Sequence, residues 1–378
     1  ILYEIIMINN LIKHNKEDLH NFLSKTIFKK IFIIAGNNSF KLSGLDNFFL
    51  ETLKEKKTKY FLKKNPYPEY EELLSLISEI KNFSPDLIVA CGGGSVLDYG
   101  KIANVLENKE SLDEKITNSE YKLKKNSGKL LAIPTTAGSG AEVTPNAVIY
   151  LDKKKYSIEG PELKPDYFFL ISDFVKEANK KIKSSSGFDA IAQSIESLIS
   201  RKSNDKSVVY ATESLKISTK HFLNFVTNTN EENTTNMSYA ANLSGEAISI
   251  SKTTAPHAIS YPFTSLFNIS HGHAVSLTLI DFLEFNFNNL NRADCNFNLK
   301  KRFELLFDIV KAKNFNEFRE FLMKIQKNAN LENSFEKLKI DIKPSISKIL
   351  SGINSQRLSN NPIKLDTEMV KKIILSKK

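Results

Sequence analysis

Three apolar runs in the first half of the chain end in small residues: KKIFIIAGNNSF at 29–40, SPDLIVACGGGS at 84–95 and KLLAIPTTAGSG at 129–140. Apolar runs of this length that stop at Gly, Pro, Ser or Asn read as buried strands running into turns. Helical spacing lies between them. Residues 43–57 read as a helix, and the prolines of NPYPEYEELLSLISEIKNF are followed by a face of Leu73, Leu74, Ile77 and Ile80. KYFLKK at 59–64 reads as a further strand, and Leu19, Phe22 and Leu23 share a helical face near the start. Alternation of this kind predicts a parallel sheet covered by helices.

The pattern changes near 174–183. Strand-like runs become scarce, and helices are expected over 187–201, 207–225, 236–250, 273–288, 299–311, 315–327 and 366–375. NTNEENTTN (228–236) reads as a polar loop and 341–365 as irregular structure. A chain of 378 residues exceeds one compact core. The expected division is an α/β domain over 1–178 and an all-α domain over 179–378.

Composition narrows the class. Hydrophobic residues are 41% and charged residues 25%, ordinary values for a globular protein. No apolar run approaches the roughly 18 residues of a membrane span. The opening ILYEIIMINN has neither a basic start nor a small-residue cleavage site, so no signal peptide is expected. Two cysteines, Cys91 and Cys295, make no disulfide framework, and a cytoplasmic setting is expected. The net charge of +10 comes from scattered lysines without zinc-finger spacing or an RNP-type aromatic motif. Neither nucleic acid nor membrane is therefore an expected partner.

The glycines at 92–94 follow DLIVAC directly, and a helix is expected to begin at Ser95. Glycine lets backbone approach a ligand, and a helix start offers free N–H groups and a positive dipole end. Thr135, Thr136 and Ser139 sit in a second such loop. Ligands of open α/β sheets bind beyond the carboxyl ends of strands, where both loops lie. GGGSVL is neither GxGxxG nor a P-loop, so neither common fingerprint applies.

Residues 250–280 hold three of the six histidines: His257, His271 and His273. Asp189 and Gln193, in GFDAIAQSIES, are four apart and share a helix face. Asp, His and His make an ordinary ligand set for a divalent transition metal, with the Gln193 amide oxygen as a weaker fourth donor. His257 and His271 are expected to be joined by a loop. The bland alternatives are a dipole-favoured charge for Asp189 and a hydrogen-bonded interface amide for Gln193.

Together, NPYP at 65–68, GGGSVLDYGK, IPTTAGSGAEVT, GFDAIAQSIES, HAISYP and SHGHA resemble the iron-containing (group III) alcohol dehydrogenase family, in its order and over most of the chain. The resemblance implies a Rossmann-like dinucleotide-binding domain, an all-helical C-terminal domain and a dehydroquinate synthase-like architecture. It implies NAD(H) or NADP(H) and a divalent metal, Fe2+ with Zn2+ as the alternative. Asp189, His257 and His271 fall on its metal-ligand positions. Gly93, Gly94, Ser95, Asp98, Thr135, Thr136 and Ser139 fall on its dinucleotide-contacting segments.

Three departures stand out. Gln193 replaces a usual histidine. Tyr261 replaces a histidine associated with proton relay, leaving its hydroxyl or His273 for that task. Gly36 stands where an acidic residue often disfavours a 2′-phosphate, which leaves NADP open. SSSGFDAIAQSIES, TTAPHAISYPFTS, SHGHAVSLTL and RLSNNPIKL are similar to the phosphonoacetaldehyde reductase branch, which implies reduction of phosphonoacetaldehyde to 2-hydroxyethylphosphonate in phosphonate biosynthesis. Lys252, Arg357 and the serines 184–186 are candidates for holding a phosphonate, with Arg357 and Lys252 as ordinary surface charges the alternative. The alternatives are a family dehydrogenase for a simple alcohol, diol or glycerol, a lyase of the 3-dehydroquinate synthase type, and a nucleotide-binding protein without catalysis. A homodimer is expected on general grounds.

Overall fold

The computed structural model describes residues 14–125, 128–152 and 154–377. The opening ILYEIIMINN, read above for leader features, lies outside the described residues. The described chain divides into two compact units, residues 14–179 with 230–242, and residues 180–229 with 243–377.

In the first unit the strands are β1 (Lys30–Gly36), β2 (Lys57–Lys63), β3 (Leu87–Gly92), β4 (Lys129–Pro134), β5 (Asn146–Leu151), β6 (Lys154–Glu159) and β7 (Tyr167–Phe168). Its helices are α1 (Lys16–Lys25), α2 (Asn37–Leu42), α3 (Leu45–Thr52), α4 (Tyr70–Phe83), α5 (Gly94–Val105), α6 (Leu112–Asn118) and α7 (Ser172–Val175). Among the described residues, five strands form a parallel sheet in the order β2-β1-β3-β4-β7, and β5 and β6 form an antiparallel pair. β3 is buried along its whole length, as strands covered on both faces are. Phe32, Ile34, Ile88, Ala90, Leu130 and Ala132 point into one core with residues of α4 and α5. Ile31, Ile33, Leu87, Val89, Leu131 and Ile133 point into the other, with residues of α1 and α3. This is a doubly covered α/β sheet. β2, rich in lysine, is an edge strand with alternating exposure. The expected helix at 43–57 is shorter: Gly44, at φ +74°, separates α2 from α3, and the latter ends at Thr52.

The strand order reverses direction between β1 and β3. Open α/β sheets take ligands at the carboxyl ends beside such a switch point. Gly36 ends β1, Gly92 ends β3 and Pro134 ends the neighbouring β4.

The remaining helices are α8 (Lys180–Ile199), α9 (Asp205–Thr227), α10 (Glu231–Ser251), α11 (Ala255–Phe267), α12 (His271–Asn288), α13 (Leu299–Val310), α14 (Phe315–Asn328), α15 (Ile342–Ser351), α16 (Ser355–Leu358) and α17 (Thr367–Ser376). No described helix is long and apolar enough to cross a membrane. Ala255, Ile259, Phe263, Leu277, Phe282, Ile349 and Val370 are among the residues of a core joining α11, α12, α15 and α17.

Three expectations need correction. The histidines 257 and 271 are not joined by a loop: α11 fills most of the interval. Pro256 lies in its first turn, where a missing N–H costs nothing. Pro262 lies inside it, and the Ala258 carbonyl that Pro262 cannot serve accepts instead from the Asn354 N–H at 3.5 Å. The polar stretch 228–236 is a helix start, because the Asn230 side chain accepts from the Asn233 N–H at 2.8 Å. Residues 341–365 contain α15 and α16; Ile342 and Ile349 of α15 are buried.

Candidate metal and nucleotide sites

In the α/β unit, the turn from β3 to α5 and the loop after β4 touch one another. The Thr135 N–H donates to the Gly92 carbonyl at 2.9 Å. A Cβ on Gly94 would stand 2.8 Å from Ser139 Oγ and 3.2 Å from its Cβ, so glycine gives the two loops room to approach. A Cβ on Gly93 would lie 3.5 Å from the Thr136 side chain, an ordinary contact. Gly93, Gly94, Ser95, Thr135, Thr136 and Ser139 therefore gather around the first turn of α5, a backbone cradle suited to a pyrophosphate.

Asp98, one turn further on, is buried, and its carboxylate accepts from the Val148 N–H at 3.2 Å. Burial raises its pKa, while Lys101 opposes that shift. Lys101 escaped notice in the sequence. It is fully buried, and its Nζ donates to the Ala141 carbonyl at 2.9 Å, Thr144 Oγ1 at 2.8 Å and the Asn146 carbonyl at 2.6 Å. Burial lowers its pKa to about 8 against the pull of Asp98 and Glu142. The buried cation ties the end of the second loop to α5.

In the helical unit, Asp189, His257 and His271 come together from α8, α11 and α12. Their candidate ligand atoms all lie within 4.8 Å of one another. His257 Nε2 is 3.1 Å from Asp189 Oδ1, and His271 Nε2 is 3.9 Å from the same oxygen. Asp189 and His257 are buried, whereas the His271 side chain is 34% exposed and gives the site an open side. Gly272 permits this meeting. A Cβ there would lie 1.9 Å from the Ser185 carbonyl oxygen and 2.9 Å from Asp189 Cβ. Only glycine lets the start of α12 pass so close to α8.

Each imidazole is held by its other nitrogen. The Ser260 hydroxyl donates to the His257 carbonyl at 2.7 Å and lies 3.3 Å from His271 Nδ1, where it is placed to accept. His257 Nδ1 meets the Glu196 carboxylate. Burial alone would lower the His257 pKa, but Glu196 and Asp189 outweigh it and raise it to about 9. One carboxylate and two anchored imidazoles fit a divalent transition metal in donor type and number.

Gln193 holds the carboxylate. Its amide nitrogen donates to Asp189 Oδ2 at 3.2 Å, and its oxygen accepts from Ser244 Oγ at 2.8 Å. Tyr261 is buried, with its ring 6.1 Å from that of His271. His273 is anchored to backbone: its Nε2 lies 2.6 Å from the Glu332 carbonyl, and burial lowers its pKa. Lys252, at φ +61°, precedes Thr253, whose Oγ1 accepts from Arg357 Nη1 at 2.9 Å. Both cations thus flank the turn leading to His257. The Ser184 and Ser186 hydroxyls have no hydrogen-bond partner among the described residues, while Ser185 Oγ accepts from the His273 N–H at 3.2 Å.

Comparison with known families is decisive at this level. Residues 10–172 match the family model for iron-containing alcohol dehydrogenase, and residues 183–377 match that for the C-terminal part of the Fe-containing alcohol dehydrogenase family. The chain belongs to the iron-containing alcohol dehydrogenase family. Among curated relatives, the chain is 28% identical over 226 residues to a phosphonoacetaldehyde reductase of Streptomyces viridochromogenes, covering 57% of each chain. It is 28% identical over 266 residues to a 4-hydroxybutyrate dehydrogenase of Clostridium kluyveri, covering 68% of this chain and 71% of the other. The first of these matches spans little more than half the relative's length. The fold is that of the sulfoacetaldehyde reductase of Bifidobacterium kashiwanohense, solved in complex with NAD+, at a TM-score of 0.85, 22% identity and coverage of 96% and 95%.

Proposed function

We propose that this protein is a metal-dependent, NAD(P)H-linked aldehyde reductase whose substrate is phosphonoacetaldehyde, reduced to 2-hydroxyethylphosphonate. The observation that carries the reductase reading is the meeting of Asp189, His257 and His271, with both histidines anchored through Nδ1. Asp189, His257 and His271 would hold the ion, Fe2+ or alternatively Zn2+, and Gln193 would hold Asp189. When bound, the ion polarises a carbonyl oxygen as a Lewis acid and the nicotinamide supplies hydride. Gly93, Gly94, Ser95, Thr135, Thr136 and Ser139 bind the dinucleotide, and Asp98 and Lys101 support their loops. The Tyr261 hydroxyl hands a proton towards the new alcohol, because the His273 Nε2 is engaged with Glu332. The sum is one aldehyde, one NAD(P)H and one proton converted to one alcohol and one NAD(P)+.

The phosphonate reading rests on the phosphonoacetaldehyde reductase relative and on the cations flanking the turn before His257. Lys252 and Arg357 would draw the anionic head, with Ser184 and Ser186 as hydroxyl donors. Similarity to the NADPH-dependent butanol dehydrogenase of Clostridium saccharobutylicum, 27% over 68% of each chain, favours a second reading in which the substrate is an uncharged alcohol. Oxidation of NADH and NADPH by the Fe2+- or Zn2+-loaded protein, with phosphonoacetaldehyde beside propanal and lactaldehyde, separates them. A preference of about a hundredfold in kcat/KM, near 2.7 kcal/mol of transition-state discrimination, supports the phosphonate. Equal rates with propanal discard it, and no cofactor oxidation discards the reductase.

A further inference from the structure

We propose that Glu196 is a positioning residue that sets which nitrogen of His257 is available to a metal. The inference rests on the ligand reading of Asp189, His257 and His271, and gives a task to a residue that lies within GFDAIAQSIES but was assigned none from the sequence. Glu196 is fully buried and follows Asp189 by seven residues, close to two turns along α8. Its two oxygens have different tasks. Oε1 receives the start of α11: the Thr254 N–H at 2.9 Å, the Thr254 hydroxyl at 2.8 Å and the His257 N–H at 3.4 Å. Oε2 receives His257 Nδ1. An ionised carboxylate only accepts, so Nδ1 must keep a proton. Nε2, which faces Asp189 Oδ1 at 3.1 Å, is then the nitrogen whose lone pair can be freed.

The donors on Oε1 make this testable by a small change. In Glu196→Gln, the two fixed backbone N–H groups draw the amide oxygen to the Oε1 place. The amide NH2 then points a hydrogen at His257 Nδ1. The neutral ring accepts there and carries its proton on Nε2, the wrong nitrogen for a ligand. Glu196→Asp keeps a proton-free acceptor but shortens its reach by one methylene. If Glu196 only fills space and caps α11, Gln is the milder change, being closer in size. If Glu196 selects the tautomer, Asp is the milder change.

The experiment is Zn2+ binding by chelator competition on the full chain, for the parent, E196Q and E196D. Thermal unfolding and long-range histidine 1H–15N spectra accompany it. E196Q is expected to lose about 10- to 100-fold in Zn2+ affinity, the range seen when partners of ligating histidines are changed. It should show an Nε2–H on His257, and E196D should bind Zn2+ more tightly than E196Q. Unchanged affinity in E196Q, or tighter binding by E196Q than E196D, overturns the assignment. Should E196Q fail to fold, the Zn2+-loaded parent still decides: its His257 must carry Nδ1–H, and an Nε2–H there overturns the proposal. A parent that binds no Zn2+ overturns the ligand reading itself, and this failure is recognisable because it precedes any substitution.

Discussion

His257 and His271 offer the same atom to the site from different surroundings, and their removal should read differently. His271 is partly open, and its Nδ1 leans on a serine hydroxyl. His257 is sealed between two carboxylates. His271→Ala should abolish metal binding and activity while costing under about 1 kcal/mol in urea unfolding of the metal-free protein, as substitutions at open positions do. His257→Ala leaves Glu196 buried without its ring partner and should cost about 3 kcal/mol or more. Equal losses in the two variants would refute this difference in surroundings. Ser260→Ala should weaken Zn2+ binding by about tenfold through the freed His271 ring, measured by the same competition. Residues such as Asp189, His257 and His271 were legible as ligand types because side-chain chemistry is written in the sequence. Glu196 was not, because nothing local tells a buried carboxylate that holds a ring from a charge on a helix surface.

At the scale of elements, two close approaches hold the sites. Gly272→Ala would drive a methyl group into the Ser185 carbonyl where α12 passes α8. The helices must part, and we expect a loss of about 1–3 kcal/mol in urea unfolding together with loss of metal binding. A variant that binds Zn2+ like the parent would show that the crossing can relax. In the α/β unit, Lys101→Met removes three hydrogen bonds from the segment 141–146 and leaves Asp98 without its neighbouring cation. That should cost about 3 kcal/mol and weaken NAD(H) binding, followed by fluorescence titration. Adding Asp98→Asn should recover part of the loss, since it removes the stranded charge. Strands and amphipathic helices were readable from periodicity. The helix Ala255–Phe267 was not, because Pro256 and Pro262 mimic a break that an N-terminal position and a borrowed N–H both cancel.

For the molecule as a whole, the ligands should stabilise where their residues lie. Zn2+ at a hundred times its Kd adds about 2.7 kcal/mol to any opening that destroys the site. Hydrogen exchange should therefore slow in α8, the first turns of α11 and the start of α12. NAD(H) should slow it in the β3–α5 turn and the loop 134–146. Protection by NAD(H) confined to residues outside those loops would defeat the nucleotide assignment. The change from alternating strand and helix to helix alone was visible in the sequence, and the structure divides its units between 179 and 180. That Asn230–Asn242, the early part of α10, joins the α/β unit was not visible, because a helix carries no local mark of the core it packs against.

By itself the sequence determined the strands that end in small residues, the helical second half and the kinds of side chain able to bind a metal or a phosphate. Each follows from short-range periodicity and chemistry. Only the tertiary structure decided that Glu196 would meet His257, 61 residues away, that Lys101 would reach Asn146, 45 residues on, and that Gln193 would turn its oxygen to Ser244. Such pairings arise because buried polar groups must find partners, and packing brings those partners from distant parts of the chain.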